Sequence, residues 1–255
     1  MSEKNWKSAI TTQKDGSPIV RGYKLTDLLK KVNFTQTIFL VLKGELPTEI
    51  EEKMLSTILV ASIDHGVEAP STTVARITAS AGVPLSTAVA NGVATIGTHH
   101  GGAIEQAAKL FQEAVKGKEP ASSIVRKAKE EGKRLPGFGH KIYNVDPRTQ
   151  AVLEVAKDNN FTGPHIELSV QIESELTKAY AAVDKKIPLN IDGITAAIIS
   201  DLGFDPSLGN GFFIISRIVG LVAHVHEEQT REKPVAHRLS EEDVEYDGTP
   251  PRELP

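Results

Sequence analysis

The sequence contains no cysteine among its 255 residues. This absence excludes disulfide bonds, thiolate metal ligands and cysteine nucleophiles together. Residues Met1–Lys14 are polar and lack the apolar segment of a secretory signal peptide. The longest apolar stretch, Phe212–Val225, is interrupted by Arg217 and His224 and is too short to cross a bilayer. From these absences we expect a soluble, cytoplasmic protein with no membrane partner.

An excess of one charge sign is also lacking, because the formal net charge is only −4 at pH 7. This balance gives no reason to expect nucleic acid or an anionic membrane surface as a partner. An anionic small-molecule substrate would therefore need a local cluster of cations. The apolar share of 40% and the charged share of 24% are close to those of an average globular protein.

Strand-like alternation is almost absent after the first residues of the chain. An Asp-Gly pair at 15–16 separates two short β-prone runs and predicts a hairpin there. Beyond it, apolar residues recur with the helical period, and Thr48 with Glu51 forms a capping-box pattern. Phe212–Val225 is apolar nearly all round, as expected of a helix buried in a helical core. We therefore predict an all-α fold preceded by a short N-terminal hairpin.

Glycines and histidines concentrate between two predicted helices at residues 97–102, with the sequence GTHHGG. Glycines let the backbone approach a ligand closely, and the helix that follows offers N–H donors to an anion. A histidine at this place, such as His100, could donate a hydrogen bond to an oxyanion. The alternative is a simple turn between helices with exposed histidines.

A second glycine-containing segment, Leu135–His140, precedes Arg148 by a few residues. It does not fit the dinucleotide-binding fingerprint, because Ile142 occupies the last glycine position and no strand comes before it. His140, Lys141 and Arg148 lie close together in the sequence, which suits a substrate that bears carboxylates or phosphates. The alternative is an ordinary flexible loop.

Two charged residues stand in apolar surroundings. Asp192 precedes the apolar segment Ile194–Leu202, where a helix N-cap is the favoured interpretation and a general base of adjusted pKa is the alternative. Arg217 needs either an internal carboxylate partner or an anionic ligand.

His224 and His226 point apart on a helix and no acidic ligand completes a set, so we expect no metal.

In their order along the chain, these motifs resemble the citrate synthase superfamily. The resemblance is carried by Arg21-Gly22-Tyr23, Gly44–Thr48, Asp64-His65-Gly66, His100–Ala103, Pro136–His140, Asp146-Pro147-Arg148, Asn190–Asp192 and Arg217–His224. An ordered set of motifs is far more specific than any single one. The resemblance implies a citrate synthase-like helical fold, with a large helical domain and a smaller one that close over the substrates. The large domain would comprise residues 1–104 and 217–255, and the small domain residues 105–216.

The resemblance also implies a catalytic triad of His100, His140 and Asp192. Asp192 would exchange the proton on the acetyl methyl carbon, which replaces the N-cap interpretation. His100 would donate a hydrogen bond to the thioester oxygen as it becomes an enolate. His140 would polarise the keto or hydroxyl group of the other reactant.

Binding roles follow from the same resemblance. Carboxylate-binding residues would be His65, Arg148, Arg217 and Arg238. The family's C-terminal arginine-proline pair appears here as Lys233-Pro234, which leaves open whether Arg231 or Arg238 replaces that arginine. The adenine end of coenzyme A would contact the loop formed by Leu135, Pro136, Gly137, Phe138 and Gly139.

The short chain and its Asn190–Gly193 motif look more like citryl-CoA lyases and the citryl-cleaving domain of ATP-citrate lyases, although His100 is a synthase-like feature. The implied activity is reversible cleavage of citryl-CoA to acetyl-CoA and oxaloacetate, a reaction of the reductive TCA cycle. The alternatives are a compact citrate or 2-methylcitrate synthase, and a silent relative that binds an acyl-CoA or a partner subunit. We expect coenzyme A thioesters as substrates, no tightly bound cofactor, and a homo-oligomer.

Overall fold

The structure is a computed structural model that describes residues 6–98, 100–140, 144–183 and 186–254. Its helices are α1 Leu25–Lys31, α2 Phe34–Lys43, α3 Glu49–Ala61, α4 Pro70–Ser80, α5 Leu85–Ala94, α6 Ala103–Gly117, α7 Ala121–Glu130, α8 Pro147–Asp158, α9 Pro164–Ala179, α10 Ile191–Asp201 and α11 Gly209–Arg231. Strands β1 Thr11–Lys14, β2 Ser17–Val20 and β3 Tyr23–Lys24 form one small antiparallel sheet in the order β1-β2-β3. The predicted all-α fold with an N-terminal hairpin is confirmed.

Local sequence signals explain several of these elements. Asp15 and Gly16 both have positive φ, at 50° and 72°, which is the backbone a tight hairpin turn requires. At the start of α3, Thr48 and Glu51 form the predicted capping box, in which each side chain accepts from the other residue's backbone N–H. Gly44 ends α2 in the left-handed conformation.

The chain divides into two compact units. The first comprises Met1–Asp64 and Ile96–Arg217, and the second comprises His65–Thr95 and Ile218–Pro255. Helix α11 contributes its first part to one unit and its remainder to the other. These limits differ from the two domains expected from the sequence, at 1–104 with 217–255 and at 105–216, and that division stays a prediction.

Helix α10 is the central element of the first unit. It contacts α6 and α9 most extensively, and Ile194 and Ile198 are completely buried. Ala196 and Ala197, also fully buried, are small enough to let the neighbouring helices approach closely. Because the helix is enclosed on all sides, its N-terminus is held in one position.

Helix α11 is longer than the apolar run from which it was predicted. By length and composition alone, Pro206–Arg231 could cross a membrane, whereas the apolar stretch Phe212–Val225 by itself is shorter than a bilayer span. Phe212 and Leu221 are nevertheless buried in protein, and the helix also carries the buried side chains of Arg217 and Glu228. Buried charges of this kind are typical of a helix in a protein core, where partners can be provided.

The loop Leu135–His140 contacts the start of α10 through the backbone. The N–H of Asn190 donates to the Gly137 carbonyl at 3.1 Å, and the N–H of Gly139 donates to the Pro188 carbonyl at 2.7 Å. A Cβ on Gly137 would lie 2.6 Å from the Gly193 Cα, and a Cβ on Gly193 would collide with the Gly137 carbonyl. The close approach therefore requires glycine on both sides.

We expect Gly193→Ala to separate the loop from α10 and to lower the free energy of unfolding by about 1–3 kcal/mol, as overpacking does. Gly211→Ala in α11 is the matched control, because nothing lies within 4 Å of a Cβ at that position. The control should be neutral or more stable by about 0.5–1 kcal/mol, since alanine favours a helix interior over glycine. Chemical denaturation of both variants checks this, and equal destabilisation would contradict the close contact.

Candidate active site

Asn190, and not Asp192, is the N-cap of α10. Its Oδ1 accepts hydrogen bonds from the backbone N–H groups of Asp192 and Gly193, both at 3.1 Å. Its Nδ2 donates to the Gly139 carbonyl at 2.9 Å, which ties the Leu135–His140 loop to the same helix end. The N-cap interpretation of Asp192 is therefore wrong, and its carboxylate is not used for capping.

The Asp192 carboxyl group lies in an environment that raises its pKa from 3.8 to about 6. Burial is the main cause, because removal of water disfavours the charged form. The positive charges of Arg148 and Arg217 act in the opposite direction, and the negative charge of Asp146 adds to the increase. The side chain is only partly exposed. A carboxyl group that titrates near neutral pH can both accept and return a proton.

Asp146 holds Arg148 in place at the start of α8. Asp146 Oδ1 accepts from the Arg148 N–H at 3.0 Å, and the two side chains form a bidentate pair with Nε–Oδ1 and Nη2–Oδ2 distances of 3.0 and 2.8 Å. Burial tends to raise the pKa of Asp146, but hydrogen bonds and charge from Arg148, together with the charge of His140, lower it overall. Asp146 is therefore an anion that orients the guanidinium of Arg148.

Arg217 is buried, with 3% of its surface exposed. Its Nε donates to the Ser62 carbonyl at 3.1 Å, and its guanidinium lies 4.7 Å from the centre of the Phe213 ring. Burial lowers the pKa of Arg217, while the charges of Asp64 and Asp192 support the cation. Within the part of the chain that the structure describes, Nη1 has no hydrogen-bond partner. A buried donor of this kind is costly unless a ligand pairs with it.

The turn at 97–102 positions His100 against the same aromatic ring. The N–H of Gly97 donates to the His100 carbonyl at 2.9 Å, and the N–H of His100 donates to the Gly97 carbonyl at 2.8 Å. The imidazole meets the Phe213 ring edge-on, with 5.7 Å between ring centres. Gly101 has φ of 75°, and a Cβ there would lie 2.6 Å from Phe213. Phe213 therefore links His100 to Arg217.

Part of the predicted loop lines a cavity of about 400 Å³ in the first unit. Its lining combines apolar and aromatic residues with His140 and four cations: Val125, Ala128, Leu135, Phe138, Gly139, Leu176, Tyr180, Ile187, Lys129, Lys133, Arg134 and Lys186. Gly137 does not line it, because this residue is buried against α10. Lys129 Nζ donates to the Ala179 carbonyl at 2.9 Å, and Lys133 pairs with Glu131 at 2.7 Å. Such a cavity suits a ligand with a flat apolar body and several anionic groups.

The first unit therefore contains His100, His140, Arg148, Asp192 and Arg217, and long-range charge interactions connect several of them. The predicted ligands His65 and Arg238 belong to the second unit, and both are exposed. Lys141 and Ile142 lie outside the described residues. The individual roles of all predicted site residues stay predictions.

The sequence interpretation missed three residues that organise this site: Asn190 as the cap, Asp146 as the partner of Arg148, and Phe213 as the ring between His100 and Arg217. Asparagine is a preferred N-cap residue, so that signal was available. Phe213 precedes Arg217 by one helical turn, but nothing in an apolar run distinguishes one phenylalanine from its neighbours. For metals, no group of three or more histidine, aspartate or glutamate side chains is placed to bind an ion in the described ranges.

Comparison with models of known protein families identifies the family to which this chain belongs. The model of the family described as "Citrate synthase, C-terminal domain" matches residues 48–238, which is more than half of the chain. The chain belongs to the citrate synthase family. The predicted family resemblance is thereby confirmed.

Solved structures and curated proteins that are similar to this chain point to the same family. A citryl-CoA lyase from Hydrogenobacter thermophilus is 47% identical, with a TM-score of 0.95, covering 99% of this chain and 98% of that one. An ATP citrate lyase from Methanosaeta concilii in complex with (3S)-citryl-CoA is 25% identical, with a TM-score of 0.84, covering 98% and 42%. "Citrate synthase 2" of Bacillus subtilis is 28% identical over 92% of this chain, and the chain spans 65% of its length.

The raised pKa of Asp192 has a consequence for stability. In the unfolded chain this group ionises near 3.8, but in the folded protein it ionises only near 6. Stability is therefore lost as the pH rises through this interval, and Asp192→Asn removes the loss. Above pH 6 we expect the variant to be more stable by about 1–3 kcal/mol.

Thermal unfolding at pH 4 and at pH 7.5 measures this difference, which should nearly vanish at the lower pH. Asp27→Asn on the exposed surface of α1 is the control and should show little change at either pH. A loss of stability in Asp192→Asn at pH 7.5 would mean that the carboxylate contributes to folding as an ordinary stabilising group.

Proposed function

We propose that this protein is a citryl-CoA lyase, which cleaves citryl-CoA to acetyl-CoA and oxaloacetate in a reversible retro-Claisen step. The observation that carries the proposal is the match to the Hydrogenobacter thermophilus lyase, at 47% identity over 99% of this chain and 98% of that chain. By contrast, the chain spans only 65% of "Citrate synthase 2" from Bacillus subtilis, at 28% identity. Length and identity both favour the lyase.

In the proposed reaction, each member of the triad either transfers a proton or stabilises a negative charge. His140 accepts the hydroxyl proton of the citryl group, and the carbon–carbon bond breaks to release oxaloacetate. The electron pair of that bond forms the enolate of acetyl-CoA, whose oxygen accepts a hydrogen bond from His100. Protonated Asp192 then delivers its proton to the enolate carbon and gives acetyl-CoA. A pKa of about 6 leaves a share of protonated Asp192 near neutral pH and also permits the reverse step.

The substrate carboxylates are proposed to bind Arg217 and Arg148. Arg217 has a buried Nη1 without a partner among the described residues, and a carboxylate oxygen would satisfy it. Arg148 is already oriented by its bidentate pair with Asp146. His65 and Arg238 remain proposed ligands for further carboxylate oxygens.

The cavity beside Leu135–His140 is proposed to hold coenzyme A. Tyr180 and Phe138 offer aromatic surface for the adenine ring, and the cations that line the cavity offer partners for the phosphates. Arg134 and Lys186 have no acidic partner among the described residues, so their charges are available for a ligand. Coenzyme A would thus act as a thioester substrate, without a tightly bound cofactor. We place the reaction in the cytoplasm and in central carbon metabolism, in the reductive TCA cycle.

We further propose a homo-oligomer, a dimer or higher, formed through the second unit. Several large apolar side chains of this unit are exposed on α4 and α11, namely Ile77 at 48%, Ile218 at 38%, Val219 at 55% and Val222 at 38%. Exposed apolar surface of this extent on neighbouring turns of one helix is typical of a protein–protein contact. A second copy of the chain is the proposed partner.

Sedimentation at micromolar concentration tests the assembly. We expect the wild type to be at least a dimer, and Val219→Glu to shift it toward monomer because a buried unpaired carboxylate is costly. Leu29→Glu in α1 is the matched control, since Leu29 is 77% exposed and belongs to the first unit. A fully active wild-type monomer would contradict the proposal.

Product analysis with synthetic citryl-CoA tests the proposed activity. We expect oxaloacetate and acetyl-CoA as products, with oxaloacetate followed through malate dehydrogenase, and free citrate only as a minor product. Asp192→Asn should reduce turnover by roughly two to four orders of magnitude, because the amide cannot transfer the proton. If citrate and free coenzyme A dominate, the protein is a compact citrate synthase that hydrolyses the thioester. If coenzyme A binds in calorimetry without turnover, it is a silent relative.

A further inference from the structure

A glutamate on α9 binds the backbone of the segment that leads into α10. Glu173 Oε1 accepts a hydrogen bond from the backbone N–H of Leu189 at 2.8 Å. Leu189 is buried, with 1% of its surface exposed, whereas Glu173 is partly exposed. Ile172 and Leu176, which flank Glu173 on α9, are both buried, so the helix that carries the carboxylate is fixed in the core. Glu173 therefore joins a fixed helix to the residues just before the cap of α10.

The antiparallel pairing of this segment leaves the Leu189 N–H without a backbone partner. Phe138 of the neighbouring loop lies opposite Leu189 in a short bridge. The two hydrogen bonds of that bridge are donated by the residues that follow, Gly139 and Asn190. In such a pair the N–H of the opposed residue points away from the partner strand. Among the described residues Glu173 is its only acceptor, and a buried N–H that loses its acceptor is costly.

The backbone around Leu189 is attached to both ends of the proposed proton transfer. The carbonyl of Pro188 accepts from the N–H of the residue just before His140. The residue that follows Leu189 caps the helix that carries Asp192. A displacement of this short segment would therefore move both groups, and the bond from Glu173 opposes such a displacement.

We propose that Glu173 is a positioning residue that fixes His140 and Asp192 relative to each other by holding the backbone at Leu189. The proposal rests on the proposed function, because it takes the roles of His140 and Asp192 from the lyase reaction. Glu173 acts only through the Leu189 N–H, without contact to the substrate. The role needs an oxygen acceptor at this position, but it does not need a negative charge.

The kinetic experiment compares three variants of α9 with citryl-CoA as the substrate. Glu173→Leu removes the acceptor, and we expect kcat to fall roughly 10- to 100-fold, because misplaced groups slow the chemical step. Glu173→Gln keeps an oxygen acceptor and should retain kcat within about threefold of the wild type. Glu175→Leu is the matched control and should leave the kinetics unchanged, because the Glu175 side chain is 30% exposed and pairs with the exposed Lys178.

Three kinetic outcomes overturn the proposal. These are an unchanged kcat in Glu173→Leu, a loss confined to KM in that variant, and an equal loss of kcat in Glu173→Gln. The last outcome would mean that the charge of Glu173 matters and the acceptor alone does not.

Amide hydrogen exchange tests the attachment without any need for turnover. In Glu173→Leu, exchange should accelerate at the amides of Gly139 and Asn190 by roughly 5- to 30-fold, the factor that corresponds to a lost hydrogen bond. Glu173→Gln and Glu175→Leu should exchange like the wild type. Acceleration confined to the Leu189 amide overturns the proposal, because Glu173 would then only satisfy that one N–H.

A second variant covers a failure of the first to fold. Glu173→Ala then replaces Glu173→Leu, because its smaller side chain lets water reach the freed N–H, and the same acceleration at Gly139 and Asn190 is expected. Should the wild type fail to cleave citryl-CoA, the proposed function fails. Exchange at Gly139 and Asn190 still decides whether Glu173 holds the loop and the helix together.

Discussion

Asn190 joins the helix that carries Asp192 to the loop that carries His140. Its side-chain oxygen caps α10, its side-chain nitrogen binds the Gly139 carbonyl, and its backbone N–H binds the Gly137 carbonyl. The two predicted catalytic residues therefore share one hydrogen-bonded support. Because α10 is itself enclosed by α6 and α9, that support belongs to the most buried part of the first unit. Catalytic groups on such rigid elements keep their geometry without help from the ligand.

The charges around this support are balanced in a way that suits proton transfer. Two arginines near Asp192 alone would keep its carboxyl group fully ionised. Burial and the neighbouring Asp146 counteract them, so that the pKa settles at about 6. The same Asp146 also orients Arg148, so one carboxylate both holds a cation and limits its influence on the base. The ionised Asp192 carboxylate thus lowers the stability of the folded protein, an effect that is common for groups at active sites.

The elements that depend on local chemistry could be predicted from the sequence. The Asp-Gly turn at 15–16, the capping box at Thr48 and the helical fold all follow from short-range rules, and all are present. The motif order also selected residues that the fold brings into one unit, among them His100, Arg148, Asp192 and Arg217. What could not be predicted depends on contacts between distant segments. The ring of Phe213 beside His100 and the bonds from Asn190 to the loop exist only once segments far apart in the sequence have packed together.

The backbone contact between Gly137 and Gly193 has a consequence for how this family can change. Neither position accepts a side chain without separating the loop from α10. A change in the backbone of the loop would therefore also move the end of α10 that carries Asp192. Arg134 and Lys186, which line the cavity, are exposed and are not constrained by this contact. We therefore expect substitutions to be tolerated more readily at these exposed cavity residues than at the Gly137–Gly193 contact, which holds the loop against α10.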